Sequence, residues 1–253
     1  VVNPGNPVPW CSIGMNDAGN AEHDFPDVVQ DLAEDPNCVA VVAIGQCATF
    51  GGYPGCVSPI GGSAGAGFAA GSQSGATGTY DHLVAHSTAA AAGKVINVPG
   101  CPTNPWWFTL TVVLLLVELS NGGLAGAGPL GIIDSGAIVP DAVDANRRLK
   151  AVYTWPLHGG ACTRYKDFGK VFALNPGDPG CLQLLGCKGP STKSSCTLHG
   201  WNAQQPENPS TWDYSVGAIS GIRGGNCIAG GHPCMGCTEK GYPDQMVPFV
   251  VRP

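Results

Sequence analysis

The chain has 253 residues, enough for one large domain or two ordinary ones, and long enough to bury a core without disulfide staples. Only 12% of residues are charged, about half the usual share, and the formal net charge is −6. The 12 basic residues are scattered, which argues against a nucleic-acid partner, and the sparse charge with abundant Gly (38) and Pro (22) suits a chain that buries irregular loops against another protein.

Residues 1–30 are polar, and a helix is expected from about Pro26 to Glu34, with Asp24 as a plausible cap and Asp27 and Asp31 in its first turns. The apolar run CVAVVAIG, Cys38 to Gly45, reads as a central strand buried on both faces of a parallel sheet. It leads into the turn GQCATFGG. Residues 53–78 are a Gly/Ser/Ala-rich loop, followed by a helix over roughly Tyr80–Ala92. A second strand, Lys94 to Gly100, ends in another cysteine turn, GCPTNP. The run Trp106 to Leu119 is shorter than the about 20 residues a bilayer span needs, and reads as a buried helix. Leu130 to Asp134 is a further expected strand. The order strand, cysteine turn, helix occurs twice in an α/β pattern. Cys47 and Cys101 are therefore expected at the carboxyl edge of one sheet, where such folds place ligands. From Ala151 regular periodicity fades, and the domain boundary is placed near Asn146–Lys150, giving domains 1–148 and 149–253.

Six of the 12 cysteines fall between Cys181 and Cys237, among glycines, prolines and short polar residues. A segment of this kind has little means of burying its own core. The candidates in the second domain are His158, Cys162, Cys181, Cys187, Cys196, Cys227, Cys234 and Cys237. Cys234 and Cys237 form a C-x-x-C, a spacing that lets two thiolates converge on a metal or cluster. On residue types alone, iron–sulfur clusters, zinc and disulfides all stay open.

The motifs GQCATFGG, VPGCPTNP, His158/Cys162 followed by RYKDFG, GCLQLLGCKGP, a cysteine six residues after that proline, and GHPCMGCTEKGYPD resemble the small subunit of nickel–iron hydrogenases, in order and over most of the chain from Cys38 on. The resemblance implies a flavodoxin-like parallel-sheet domain followed by a largely irregular, cluster-stabilised domain. It implies three iron–sulfur clusters. A proximal 4Fe-4S cluster would take Cys47 and Cys101. A distal 4Fe-4S cluster would take His158, Cys162, Cys181 and Cys187. A medial cluster would take Cys196, Cys234 and Cys237.

Four departures from the family pattern matter. The N-terminal C-x-x-C that supplies two proximal ligands is absent, so the chain is expected to lack its true N-terminus; Cys11 or Cys56 is the rival source. Cys227 stands where many relatives carry proline and a 3Fe-4S medial cluster, so it is expected to supply a fourth ligand to a 4Fe-4S cluster. His158 lies one residue further from Cys162 than the common His-x-x-Cys, so Gly159 and Gly160 are expected to loop out. Gly52 occupies the place of an additional cysteine in oxygen-tolerant relatives, which disfavours the unusual proximal cluster of those enzymes. The long stretch between Cys196 and Cys227 resembles the soluble, oxygen-insensitive actinobacterial-type branch. His232 is expected to hydrogen-bond near the medial site or between subunits, and Cys38 to be a small apolar side chain.

The resemblance also implies an obligate heterodimer, single or doubled, with a large subunit that holds the nickel–iron centre. The acceptor is a quinone, a cytochrome or a soluble carrier. A cytoplasmic or membrane-associated location is favoured, with periplasmic export left open by the absent N-terminus. Two other readings compete: an iron–sulfur subunit of a respiratory quinone reductase, whose relatives lack the C-terminal cysteine sets, and a non-enzymatic zinc or disulfide module.

Overall fold

The computed structural model describes residues 12–15, 21–56, 76–162, 164–165, 171–199, 226–228 and 231–251. The chain divides into two compact units, Val1–Thr103 with Phe108–Lys150, and Asn104–Trp107 with Ala151–Pro253.

The first unit is mixed α/β. It opens with an antiparallel hairpin of β1 (Ser12–Met15) and β2 (Ala21–Asp24), unexpected in so polar a stretch. α1 (Phe25–Glu34) follows, with Pro26 in its first turn where a missing N–H costs nothing. Asp24 holds the cap position, but its side chain makes no capping bond. At the other end Lys94 Nζ donates to the carbonyls of Ala33 (2.7 Å) and Asp35 (2.8 Å), a cation on the negative end of the helix.

β3 (Val41–Ile44) and β4 (Val95–Val98) form a parallel pair in register from Val41↔Val95 to Ile44↔Val98. Double-sided burial belongs to β4, which is buried at every residue. β3 is shorter than its apolar run and leaves Ile44 45% exposed, so the expectation for that strand is corrected. α2 (Gln46–Phe50) starts directly after β3. The expected helix over 80–92 is two helices, α3 (Thr79–His86) and α4 (Ala89–Gly93), because the Thr88 hydroxyl accepts from Ala91 N–H and starts a new N-terminus. Ala33, Ala43, Leu83, Ala91, Ala92 and Val95 close the core between these elements.

α5 (Pro105–Ser120) is only half buried. Beyond Trp107 four of its apolar side chains, Phe108, Val113, Leu116 and Val117, are exposed, while Thr111, Leu115 and Glu118 are buried. The buried carboxylate is held by three amides, Leu130 N–H (2.5 Å), Ile132 N–H (2.8 Å) and Ile133 N–H (2.7 Å). These donors fix the strand-like segment after α5, which ends in a small hairpin of β5 (Ile133–Asp134) and β6 (Ala137–Ile138), not in the parallel sheet.

The second unit has little regular structure. Among the described residues it has a short α-helix, α6 (Cys196–His199), helical backbone at Arg164 and Tyr165, and an isolated bridge between Pro156 and Lys193. The core contains the cysteines themselves: Cys162 and Cys234 are buried with Leu157, Ala173, Leu182, Leu185 and Ile228, and Cys187 and Cys196 pack against them. Trp107, buried at the start of α5, donates from Nε1 to Ser195 Oγ (2.8 Å), one residue before Cys196.

Burial alone would raise the Glu118 pKa; the three amide donors outweigh it and hold the carboxyl below its ordinary value. Its stabilising contribution is full above the unfolded-state pKa and is lost as pH falls through the lower folded one. Glu118→Gln is expected to cost about 2 kcal/mol in denaturant unfolding at neutral pH, and to remove that part of the acid sensitivity. An unchanged unfolding midpoint would contradict the caging role.

Candidate iron–sulfur ligand sites

In the first unit the carboxyl ends of the parallel pair bring two cysteine turns together. Gly45 N–H donates to the Val98 carbonyl (3.0 Å) and Gln46 N–H to the Gly100 carbonyl (2.9 Å), so the turn after β3 is stitched to the turn after β4. Gly100 is required there: a Cβ would stand 2.7 Å from Thr103 Cα. Cys47 in the first turn of α2 and Cys101 after β4 both expose their thiols on this edge. Partial burial of the Cys47 sulfur and the neighbouring Cys101 raise the Cys47 pKa. Gly52 has φ +54°, and a Cβ on it would lie 2.7 Å from Cys47 Sγ. Position 52 is therefore the wall of this site, which is why its residue type matters. The Cys56 thiol donates to the Tyr53 carbonyl (2.9 Å), and Cys38 donates weakly to the Ala40 carbonyl (3.8 Å). Cys11 lies outside the described residues.

In the second unit His158, Cys162, Cys181 and Cys187 converge. His158 Nε2 is 3.6 Å from Cys181 Sγ. The extra residue between His158 and Cys162 is absorbed in a single π-type turn, Leu157–Ala161, closed by Cys162 N–H on the Leu157 carbonyl (2.7 Å) with Gly159 at φ +77°. Gly189 packs between Cys187 and His158; a Cβ there would meet Cys187 Sγ at 3.4 Å and His158 Cβ at 3.6 Å. Burial raises the pKa of Cys162, Cys181 and Cys187, and the neighbouring thiols add to it at Cys162 and Cys187.

Cys196, Cys227, Cys234 and Cys237 make a second group. Burial pushes Cys196 up to about 12, with Cys237 and Cys227 among the charges that add to it. Burial likewise holds Cys234 well above the ordinary thiol value, with Cys196, Cys187 and Cys237 contributing. Cys227 is an exposed residue, yet burial of its thiol raises the pKa, and its carbonyl accepts from His232 N–H (2.9 Å), which ties its loop to the GHPC segment. His232 Nδ1 itself hydrogen-bonds the Pro233 carbonyl (2.6 Å). The His199 side chain lies outside the described residues. Backbone N–H groups point at the sulfurs: Gly189 (3.4 Å) and Cys234 (3.2 Å) donate to Cys187 Sγ, and Gly236 (3.4 Å) to Cys234 Sγ. Sequence reading missed these donors because any residue except proline supplies them.

The chemistry of these sets decides among their possible guests. None of the 11 cysteines in the described residues forms a disulfide. Among the described residues no three His, Cys, Asp or Glu side chains are gathered tightly enough to hold one metal ion. A zinc tetrahedron with bonds of about 2.3 Å draws its sulfurs to within about 4 Å of one another. Open sets of soft thiolates, desolvated and met by amide donors, fit the wider body of an iron–sulfur cluster.

Comparisons with known proteins agree with the donor chemistry. Residues 17–115 match the family "NADH ubiquinone oxidoreductase, 20 Kd subunit", and residues 153–214 match the family of the C-terminal part of the NiFe/NiFeSe hydrogenase small subunit. The periplasmic NiFeSe hydrogenase small subunit of Desulfomicrobium baculatum is 28% identical over 96% of this chain and 62% of its own length. The F420 non-reducing hydrogenase II small subunit of Methanosarcina mazei is 29% identical over 90% of this chain and 50% of its own length. The actinobacterial-type NiFe-hydrogenase from Ralstonia eutropha H16 superposes with a TM-score of 0.68 and 28% identity, covering 98% of this chain and 58% of that one. The chain thus spans less than two thirds of the length of these relatives.

Gly52→Ala is expected to cost about 1–2 kcal/mol from the left-handed backbone alone and to displace Cys47 Sγ. Denaturant unfolding measures the first effect and alkylation of Cys47 the second; a variant as stable as the parent would contradict the close approach. Two family matches, relatives aligned along nearly the whole chain and cysteine sets of cluster type together mark this chain as similar to the small subunits of nickel–iron hydrogenases.

Proposed function

We propose that the chain is the electron-transfer subunit of a nickel–iron hydrogenase, relaying electrons from hydrogen oxidation at a partner subunit's nickel–iron centre to an external acceptor. The observation that carries the reading is the pairing of two separate thiol groups in one apolar core with amide donors aimed at their sulfurs. The first unit, through Cys47 and Cys101, supplies proximal ligands. His158, Cys162, Cys181 and Cys187 hold the distal cluster, and Cys196, Cys227, Cys234 and Cys237 a four-iron medial one. When bound, the clusters supply one-electron carriers at low potential. The chain's own work is to desolvate the thiolates, donate N–H groups to them and present His158 at the outward end.

The inverted face of α5 supports the partner. A helix that exposes Phe108, Val113, Leu116 and Val117 while burying Glu118 suits a surface covered in an assembly, since charged residues are depleted from interface cores. Among the described residues no helix is long and apolar enough to cross a membrane.

Co-purification followed by metal analysis tests the function: nickel with about a dozen irons per heterodimer is expected for three four-iron clusters, and a nickel-free, zinc-bearing chain would overturn it. Leu116→Asp is expected to weaken capture of the large subunit about tenfold or more, as for a buried apolar anchor; full capture would remove α5 from the interface. For Cys227, the oxidised heterodimer is expected to lack a strong three-iron EPR signal, and Cys227→Ala to produce one. A strong three-iron signal already in the parent would remove Cys227 from the ligand set.

A further inference from the structure

Arg164 lies two residues after Cys162 and is 5% exposed. Its Nε donates to the Gly180 carbonyl (2.8 Å) and its Nη2 to the Asp178 carbonyl (2.5 Å), the backbone that leads into Cys181. One side chain thus ties the Cys162 segment to the Cys181 loop. The next residue, Tyr165, lies against the His158 ring with centroids 4.3 Å apart. Burial lowers the guanidinium's pKa, and the thiols of Cys162, Cys181 and Cys187 are the charges that draw it back. Arg164 likewise lowers the Cys181 pKa against the burial that raises it. Arginine suits this place, because it stays charged under desolvation and its planar fork reaches two carbonyls at once.

Resting on the distal ligand set proposed above, we propose that Arg164 is the positioning residue of the electron exit: a fixed buried cation that locks the Cys181 loop and raises the potential of the distal cluster. Reduction adds one negative charge to a cluster already surrounded by thiolates. A permanent positive charge two residues from Cys162 and anchored on the backbone that leads into Cys181 favours the reduced form. At an effective dielectric of about 20 and a separation of about 10 Å, the effect on the reduction equilibrium is on the order of tenfold.

The test is an EPR-monitored redox titration of the purified heterodimer. Arg164→Met removes the charge and keeps the length. Arg164→Gln removes the charge and keeps a donor for the Gly180 carbonyl, so it reads the charge alone if the methionine variant fails to assemble. Arg164→Lys keeps the charge without the fork. The neutral variants are expected to shift the distal equilibrium about tenfold toward the oxidised form, about 59 mV for a one-electron couple, and the lysine variant to stay within about threefold of the parent, as a retained charge requires. Neutral variants with the parent's potential, or a lysine variant shifted as far as they are, would overturn the proposal. If the parent itself shows no distal cluster signal, the ligand assignment fails instead, so the two failures are separable.

Discussion

Desolvated thiols set the terms for this molecule. A cysteine in an apolar core is at ease as a neutral thiol and costly as a thiolate. Burial raises the pKa of Cys162, Cys181, Cys187, Cys227 and Cys234, and Cys196 is pushed up to about 12. Binding to a cationic centre reverses the balance, because the metal's charge stabilises the sulfur anion and the proton leaves. The second unit therefore has a core whose chemistry is completed by its guest. Leu157, Leu182 and Leu185 pack against Cys162 and Cys234 in the same cluster of buried residues, so on the proposed reading filling the site and consolidating the core are one event.

The two units solve the ligand-placing problem differently. The first uses regular structure: two parallel strands end at one edge, and the turns beyond them deliver Cys47 and Cys101 to it. The second uses irregular backbone, which leaves many amide groups unclaimed by helices or sheets. Some of those amides point at sulfur. Irregularity is thus useful here, since a regular helix or strand would have spent the same N–H groups on carbonyls.

Much of this was readable in the chain. The runs ending at Gly45 and Gly100 placed Cys47 and Cys101, because buried strands and glycine turns carry strong local signals. The grouping of His158 with Cys162, Cys181 and Cys187 followed from motif resemblance, and the π-type turn shows how Gly159 takes up the extra residue. Where reading failed, the cause was tertiary. Nothing in an all-apolar run such as Trp106–Leu119 says which face is covered within the chain. The Glu118 carboxylate looked like the end of a helix, and only the fold brings three amides to it. Arg164 was one of 12 scattered basic residues until its burial set it apart.

The bond from Cys234 N–H to Cys187 Sγ joins the two cysteine groups of the second unit, and Lys188 N–H answers it on the Cys234 carbonyl at 2.8 Å. The backbone of one group is thereby an outer shell of the other. A substitution at Cys187 strips the Cys234 amide of its acceptor as well as removing a sulfur of the proposed distal set. On the proposed ligand assignment, spectra of such a variant are expected to report on both groups at once.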